Sequence, residues 1–170
     1  MAIIKELRGF TPQIGENCFI AETAAVIGDV TMGDNCSIWY STVLRGDVNS
    51  ITIGNKVNIQ DGAVIHTLYK RSKTIIGDNV SVGHNAVIHG AIIENNCLIG
   101  MGAIVLDNAV VESGAIVAAG ALVTSGMHVE GGYIYAGVPA KKIKAVDEKQ
   151  RSEIINRIAD DYVMYASWYK

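Results

Sequence analysis

The sequence predicts an all-β solenoid, a parallel β-helix of about six triangular coils, closed by one C-terminal α-helix. Three observations predict it. Aliphatic residues recur every six positions, similar turn residues open every third unit, and the period changes abruptly near residue 147.

The six-residue period is the primary signal. Ile14, Ile20, Val26, Met32, Ile38 and Leu44 are six apart, as are Ile53, Ile59 and Ile65, then Ile76, Val82 and Ile88, then Ile93, Ile99, Val105, Val111, Val117 and Val123. The fourth residue after each is usually small or apolar, as at Cys18, Ala24, Cys36, Ala63, Ala86, Cys97 and Ala115. A period of two would describe a half-buried strand, and spacings of three and four an amphipathic helix. A period of six gives one flat face per unit with a turn after it. The eighteen units make six coils at three faces each. Ile14-Gly-Glu-Asn, Met32-Gly-Asp-Asn, Ile53-Gly-Asn-Lys and Ile76-Gly-Asp-Asn recur at every third unit and confirm the phase. Gly, Asn and Asp tolerate the positive φ that tight corners require. The count breaks three times, with extra residues between Leu44 and Ile53 and between Ile65 and Ile76, and one residue missing between Ile88 and Ile93. All three breaks fall between a third face and the next first face, the corner at which loops leave the coil.

These features divide the chain into a lead-in (1–13), a β-helix (14–128), a connecting segment (129–146) and a helix (147–170). Asp147 followed by Gln150 reads as a capping box. Beyond it Ile154, Ile158, Tyr162, Tyr165 and Tyr169 share one helical face, widened by Ile155 and Trp168, which packs on the coil wall.

Composition excludes several functional classes. Hydrophobic content is 49%, yet Gly, Asp or Asn interrupts every apolar run short of a membrane span. The opening Met-Ala-Ile-Ile-Lys-Glu is charged where a secretion signal is apolar. A net charge of −3 without a basic block gives no reason to expect a nucleic acid or membrane partner. Cys18, Cys36 and Cys97 are an odd set, expected as reduced thiols of a cytoplasmic protein.

Three of the four histidines, His66, His84 and His89, lie in the repeat, and its register places each imidazole. His66 follows Ile65 and His89 follows Ile88, both on the third face, so His89 stacks on His66 one coil higher, about 4.8 Å away. Two imidazoles at that offset can share one ion at about 2.0–2.1 Å per bond. Arg45 occupies the same column one coil below. His84 belongs to the second face, with Asp61 directly beneath it and Gln60 beside Asp61. A third ligand from that flank is misplaced within one chain but meets the pair when a second copy is rotated about a three-fold axis. A cyclic homotrimer closes this contact and makes three equivalent sites. Arg45, Asp47, Gln60 and Asp61 then surround the site, with a structural role in holding subunits together equally open to them. His128 reads as a surface residue.

At these positions the chain resembles the γ-class carbonic anhydrases and their bacterial homologues. Arg45-Gly-Asp47, Asn58-Ile-Gln60-Asp61-Gly, His66 and Gly83-His84-Asn-Ala-Val-Ile-His89-Gly carry the likeness, which runs from about Gly9 through the helix. The resemblance implies a left-handed β-helix trimer with one divalent metal per interface, zinc first and iron or cobalt as alternatives, held by His66, His84 and His89. It implies that Gln60 orients the reacting water, that Arg45 pairs with Asp47 and with Asp61 across the interface, and that Tyr162 approaches the pocket. The implied reaction is the hydration of CO2 to bicarbonate by a lyase. The ion's charge draws the pKa of a coordinated water toward neutrality. The archetypal enzyme carries a Glu directly after its Arg-Gly-Asp element and an acidic loop after the first His. This chain has Val48 and the carboxylate-free Thr67–Lys73 instead, which puts proton export in question and leaves slow turnover or a different substrate open. Three other functions stay open: an acyl-CoA-dependent acyltransferase using one His as base, a thioesterase-like metal hydrolase, and a non-catalytic metal-binding trimeric scaffold.

Overall fold

The computed structural model describes residues 1–169, and its strands stack into three parallel ladders. Ile14, Met32, Ile53, Ile76, Ile93, Val111 and Val129 stand one above another on the first face. Ile20, Ile38, Ile59, Val82, Ile99, Val117 and Tyr135 do so on the second. Ile4, Val26, Leu44, Ile65, Ile88, Val105 and Val123 make the third. These columns point inward and, away from the two ends, are almost wholly buried, with the small Ala and Cys residues filling the corners between them. The product is a left-handed parallel β-helix with one C-terminal helix.

The stack has about seven coils, one more than the unit count gives. Ile3–Lys5 pairs with Ala25–Ile27 below the first counted unit, and His128–Val129 and Tyr133–Ala136 continue the ladders at the other end. The sequence hid the first of these because residues 5–13 separate Ile4 from Ile14, a fourth insertion at the same third-to-first corner. Segment 129–146 is a connection only in part. Tyr133–Ala136 and Lys141–Ala145 form an antiparallel hairpin that ends the second-face sheet. Three lysines lie on this edge strand, where charge discourages further strand addition.

On the first face, units turn at the third residue after the opener. Asn17, Asn35, Lys56, Asn79 and Asn96 form one such column with φ of 54–57°, a conformation asparagine visits more readily than most residues. The insertion between Leu44 and Ile53 makes no excursion. Val43–Ile53 is one continuous strand that rounds the corner and pairs along Ala25–Met32. The longer insertion after His66 does leave the coil and is pinned by a Leu68–Ser72 bridge.

The C-terminal helix starts from Asp147. Its carboxylate accepts from the Gln150 amide at 2.8 Å, and the Gln150 side chain accepts from the Asp147 amide at 3.2 Å. A turn at Glu148–Gln150 passes into a π-helical stretch, Arg151–Asn156, and then an α-helix, Arg157–Ser167. The helix runs down the second face. Ile155 packs with Val146 and Ile116, and Tyr162 meets Trp39 edge-on, ring centroids 5.3 Å apart. The expected apolar face is the one that packs: Ile154 joins the Ile155 cluster, Ile158 lines a pocket against the coil, and Tyr169 meets Phe19 and Trp39. Ile155, Ala159 and Ala166 are its buried residues, while Trp168 stacks on Tyr165 but stays 68% exposed. The extra backbone residue of a π-turn shifts the phase of side chains across it. No helix among the described residues is long and apolar enough to cross a membrane.

Candidate metal centre

The third-face ladder holds His89 directly above His66. Their facing atoms, His66 Nδ1 and His89 Nε2, lie 3.1 Å apart. Two nitrogens bound to one tetrahedral ion at about 2.0–2.1 Å would be separated by about 3.3 Å. The sheet thus spaces the pair for a shared ion without help from any loop.

Carboxylates decide which nitrogens are available. Asp47 Oδ1 lies 2.9 Å from His66 Nε2, and Asp107 embraces His89 Nδ1 with both oxygens at 3.0 Å. An ionised carboxylate only accepts, so each neutral ring places its proton there. The two nitrogens that face each other are then both bare, and their lone pairs oppose across 3.1 Å. A cation between them removes that repulsion. Carboxylate–histidine–metal triads orient ligands in this manner, so the residues fit a metal. Burial pushes both acids up, but hydrogen bonds outweigh it. Asp47 is held below the usual carboxylate value by His66 and Arg45, and Asp107 by Ser72 and His89. Arg45 also forms an ion pair with Asp47.

Asp107 is the site residue that sequence reasoning missed. It lies one coil above His89 and one residue beyond the histidine column. Its Oδ1 accepts from Ser72 Oγ at 2.5 Å, which ties the carboxylate to the 67–73 loop. Gly90 makes this possible. A Cβ there would fall 1.9 Å from Ser72 Oγ and 2.3 Å from Asp107 Oδ1, at a φ of +61°. Gly90→Ala is therefore expected to push Asp107 off His89 and to weaken metal affinity by about 10–100-fold, the range for lost outer partners. Metal titration of the purified variant checks this, and unchanged affinity would sink the role given to Asp107.

His84 stands on the second face, its Nδ1 3.0 Å from Asp61 Oδ2. The same logic leaves its Nε2 bare. Among the described residues, no group of three or more His, Cys, Asp or Glu side chains is placed to hold a metal ion within one chain. The chain thus presents a histidine pair on one face and a single histidine on another.

Around His84 a cavity of about 260 Å³ lies between coil and helix, lined by Gln60, Met101, Asp161, Tyr162 and Tyr165 among others. Gln60 is buried, and its Nε2 donates to Asn58 Oδ1 at 3.0 Å, while Asn58 donates to Ser81 Oγ at 2.7 Å. This ladder under the helix fixes the Gln60 amide and leaves its Oε1 as an acceptor. Burial, with the Asp61 charge second, pushes the Tyr162 hydroxyl up to about 12, so it remains a donor at neutral pH.

Comparisons with known proteins agree with this architecture. A family model described as bacterial transferase hexapeptide (six repeats) matches residues 11–46 and 90–125. A carbonic anhydrase of Geobacillus kaustophilus is 44% identical over 99% of this chain and 91% of its own length. The mitochondrial gamma carbonic anhydrase 2 of Arabidopsis thaliana is 43% identical over 92% of this chain, which spans 58% of that protein. A solved hexapeptide transferase family protein from Anaplasma phagocytophilum superposes with a TM-score of 0.94 at 40% identity, covering 99% of this chain and 98% of that one. With its repeat, its paired histidines and relatives of this similarity along nearly its whole length, the chain belongs to the γ-class carbonic anhydrase family of hexapeptide-repeat proteins.

Proposed function

We propose that this protein hydrates CO2 to bicarbonate at three metal sites of a homotrimer, each site built from His66 and His89 of one subunit and His84 of the next. The observation that carries the reading is the carboxylate-flanked histidine pair 3.1 Å apart, with a third carboxylate-paired imidazole displaced to another face. The outward row of the third face supports a second copy as the partner. Val43, Val64, Val87, Ile104 and Leu122 form an aliphatic strip that stays partly exposed in the single chain. An apolar strip of this kind is a surface for association, whereas the second face is already covered by the helix.

His66 would bind through Nδ1, and His89 and His84 through Nε2. Imidazole ligands suit zinc first, and iron or cobalt as well. When bound, the ion supplies Lewis acidity and an acidified, nucleophilic water. The chain's own residues do the rest. Asp47, Asp107 and Asp61 hold the three rings in the ligating tautomer. Gln60 Oε1 accepts a hydrogen bond from the incoming water and orients it. The Tyr162 hydroxyl donates to an oxygen of CO2 or bicarbonate. Arg45 neutralises Asp47 and reaches Asp61 of the neighbouring subunit, joining ligand support to assembly. The protein acts in the cytoplasm with no partner beyond its own copies and its small substrate.

Similarity to the bacterial transferase hexapeptide family and to a solved hexapeptide transferase family protein motivates acyl-CoA-dependent acylation as the second reading. Acylation needs one histidine base on a substrate hydroxyl or amine, and three histidines each locked by a carboxylate exceed that need. Protein purified without chelator separates the readings. The expected result is about one divalent metal per chain, CO2 hydration that a chelator abolishes, and no acetyl transfer from acetyl-CoA. A metal-free trimer that acetylates and leaves CO2 untouched would overturn the assignment.

A further inference from the structure

Hydration of CO2 yields bicarbonate and one proton, and that proton must reach buffer before the site can turn over again. At the two places where the archetypal enzyme carries carboxylates, this chain has Val48 and Thr67–Lys73. The structure offers another carboxylate from a different element. Asp161 lines the cavity that His84 and Gln60 enter from the coil side.

Asp161 differs from the other acids near the site. Asp47, Asp107 and Asp61 each hold a histidine. Asp161 is the one carboxylate among the described residues lining the His84 cavity, and no histidine pairs with it. Its side chain is 27% exposed, so it touches both the cavity and bulk water, and among the described residues its ion-pair partner is Arg157 at 3.6 Å. That contact is too long to be a hydrogen bond and leaves the carboxylate oxygens open to water. The charged and titratable groups facing it are Arg157, Tyr162 and Tyr165 from the helix and His84 with Asp61 from the coil. Tyr162 keeps its proton, as described above, and can only relay. At about 30 Å³ per molecule, a cavity of about 260 Å³ holds several waters.

We propose that Asp161 is the proton acceptor of the hydration reaction. It takes the proton released at the site through the cavity waters and Tyr162, and passes it to buffer. An O–H bond of the relaying water breaks as a carboxylate O–H forms, and that proton then leaves to a buffer base. This rests on the CO2-hydration reading.

The test is Asp161→Asn, assayed by stopped-flow CO2 hydration in dilute buffer and again in concentrated imidazole, with metal content and trimer mass measured alongside. The expected kcat falls about 10–100-fold in dilute buffer, as for loss of a positioned proton-transfer group. Imidazole restores it, while kcat/KM and metal content stay within about twofold of wild type. Asp161→Glu retains most of the rate. An unchanged kcat in dilute buffer, or a loss of kcat/KM and metal that imidazole cannot rescue, overturns the proposal while wild-type activity stands. Wild-type protein that is fully metallated yet inert to CO2 overturns the hydration reading and the relay with it.

Discussion

Replacing His66 or His89 by alanine is expected to remove the metal and lower CO2 hydration by on the order of a thousandfold or more, since the activated water goes with the ion. Each substitution leaves one imidazole of the stacked pair, and two remaining ligands hold a divalent ion far less firmly than three. His84→Ala should fail equally, although it leaves the pair intact. The decisive form of the test mixes chains. In a trimer of two His84→Ala chains and one His66→Ala chain, or the reverse, one of the three directional interfaces receives a full ligand set. Random assembly from equal amounts should therefore recover about a quarter of the wild-type metal. Verified mixed trimers without recovered metal would refute shared ligation. Full recovery in each variant alone would show that the histidines are not ligands.

The second large effect concerns the rod. Val82→Asp is expected to leave little folded protein. Val82 is wholly buried midway along the second-face column, between Ile59 and Ile99. An unpaired carboxylate in such a place costs several kcal/mol, against a total stability of about 5–15 kcal/mol. Ile14→Asp makes the same change near the N-terminal end, where the residue is only partly buried, and should cost much less. In a solenoid each coil leans only on its neighbours, so a central defect splits the stack while a terminal one frays it. Thermal melts followed by circular dichroism compare the two, and equal losses of Tm would contradict nearest-neighbour stabilisation.

What could be read from the sequence followed from one-dimensional order. Once Ile65 and Ile88 share a column, the residues after them must stack, and Asp61 must lie under His84. Features that depend on departures from the repeat were hidden. Asp107 reaches His89 only because Gly90 has no side chain and Ser72 folds back from its loop. Ile3–Lys5 belongs to the stack, but a long insertion separates it from the counted units. The packed helix face was legible from its aliphatic and aromatic residues, but the buried Ala159 and Ala166 carry too little apolar bulk to mark a face. Asp161 gave no signal at all. Its place beside the cavity depends on how the helix crosses the coil, which no periodicity encodes.

The stacking of His89 on His66 also bears on how such a site arises and how it could be moved. The interval between the two rings is the rung spacing of the ladder, which is the same everywhere along the rod. The address of the chemistry is then set by which rungs carry imidazole and by the carboxylates that stand beside them. Arg45 stands on the rung below, so a shift of the centre by one coil would keep the imidazole spacing but leave behind the Asp107 support that Ser72 and Gly90 shape.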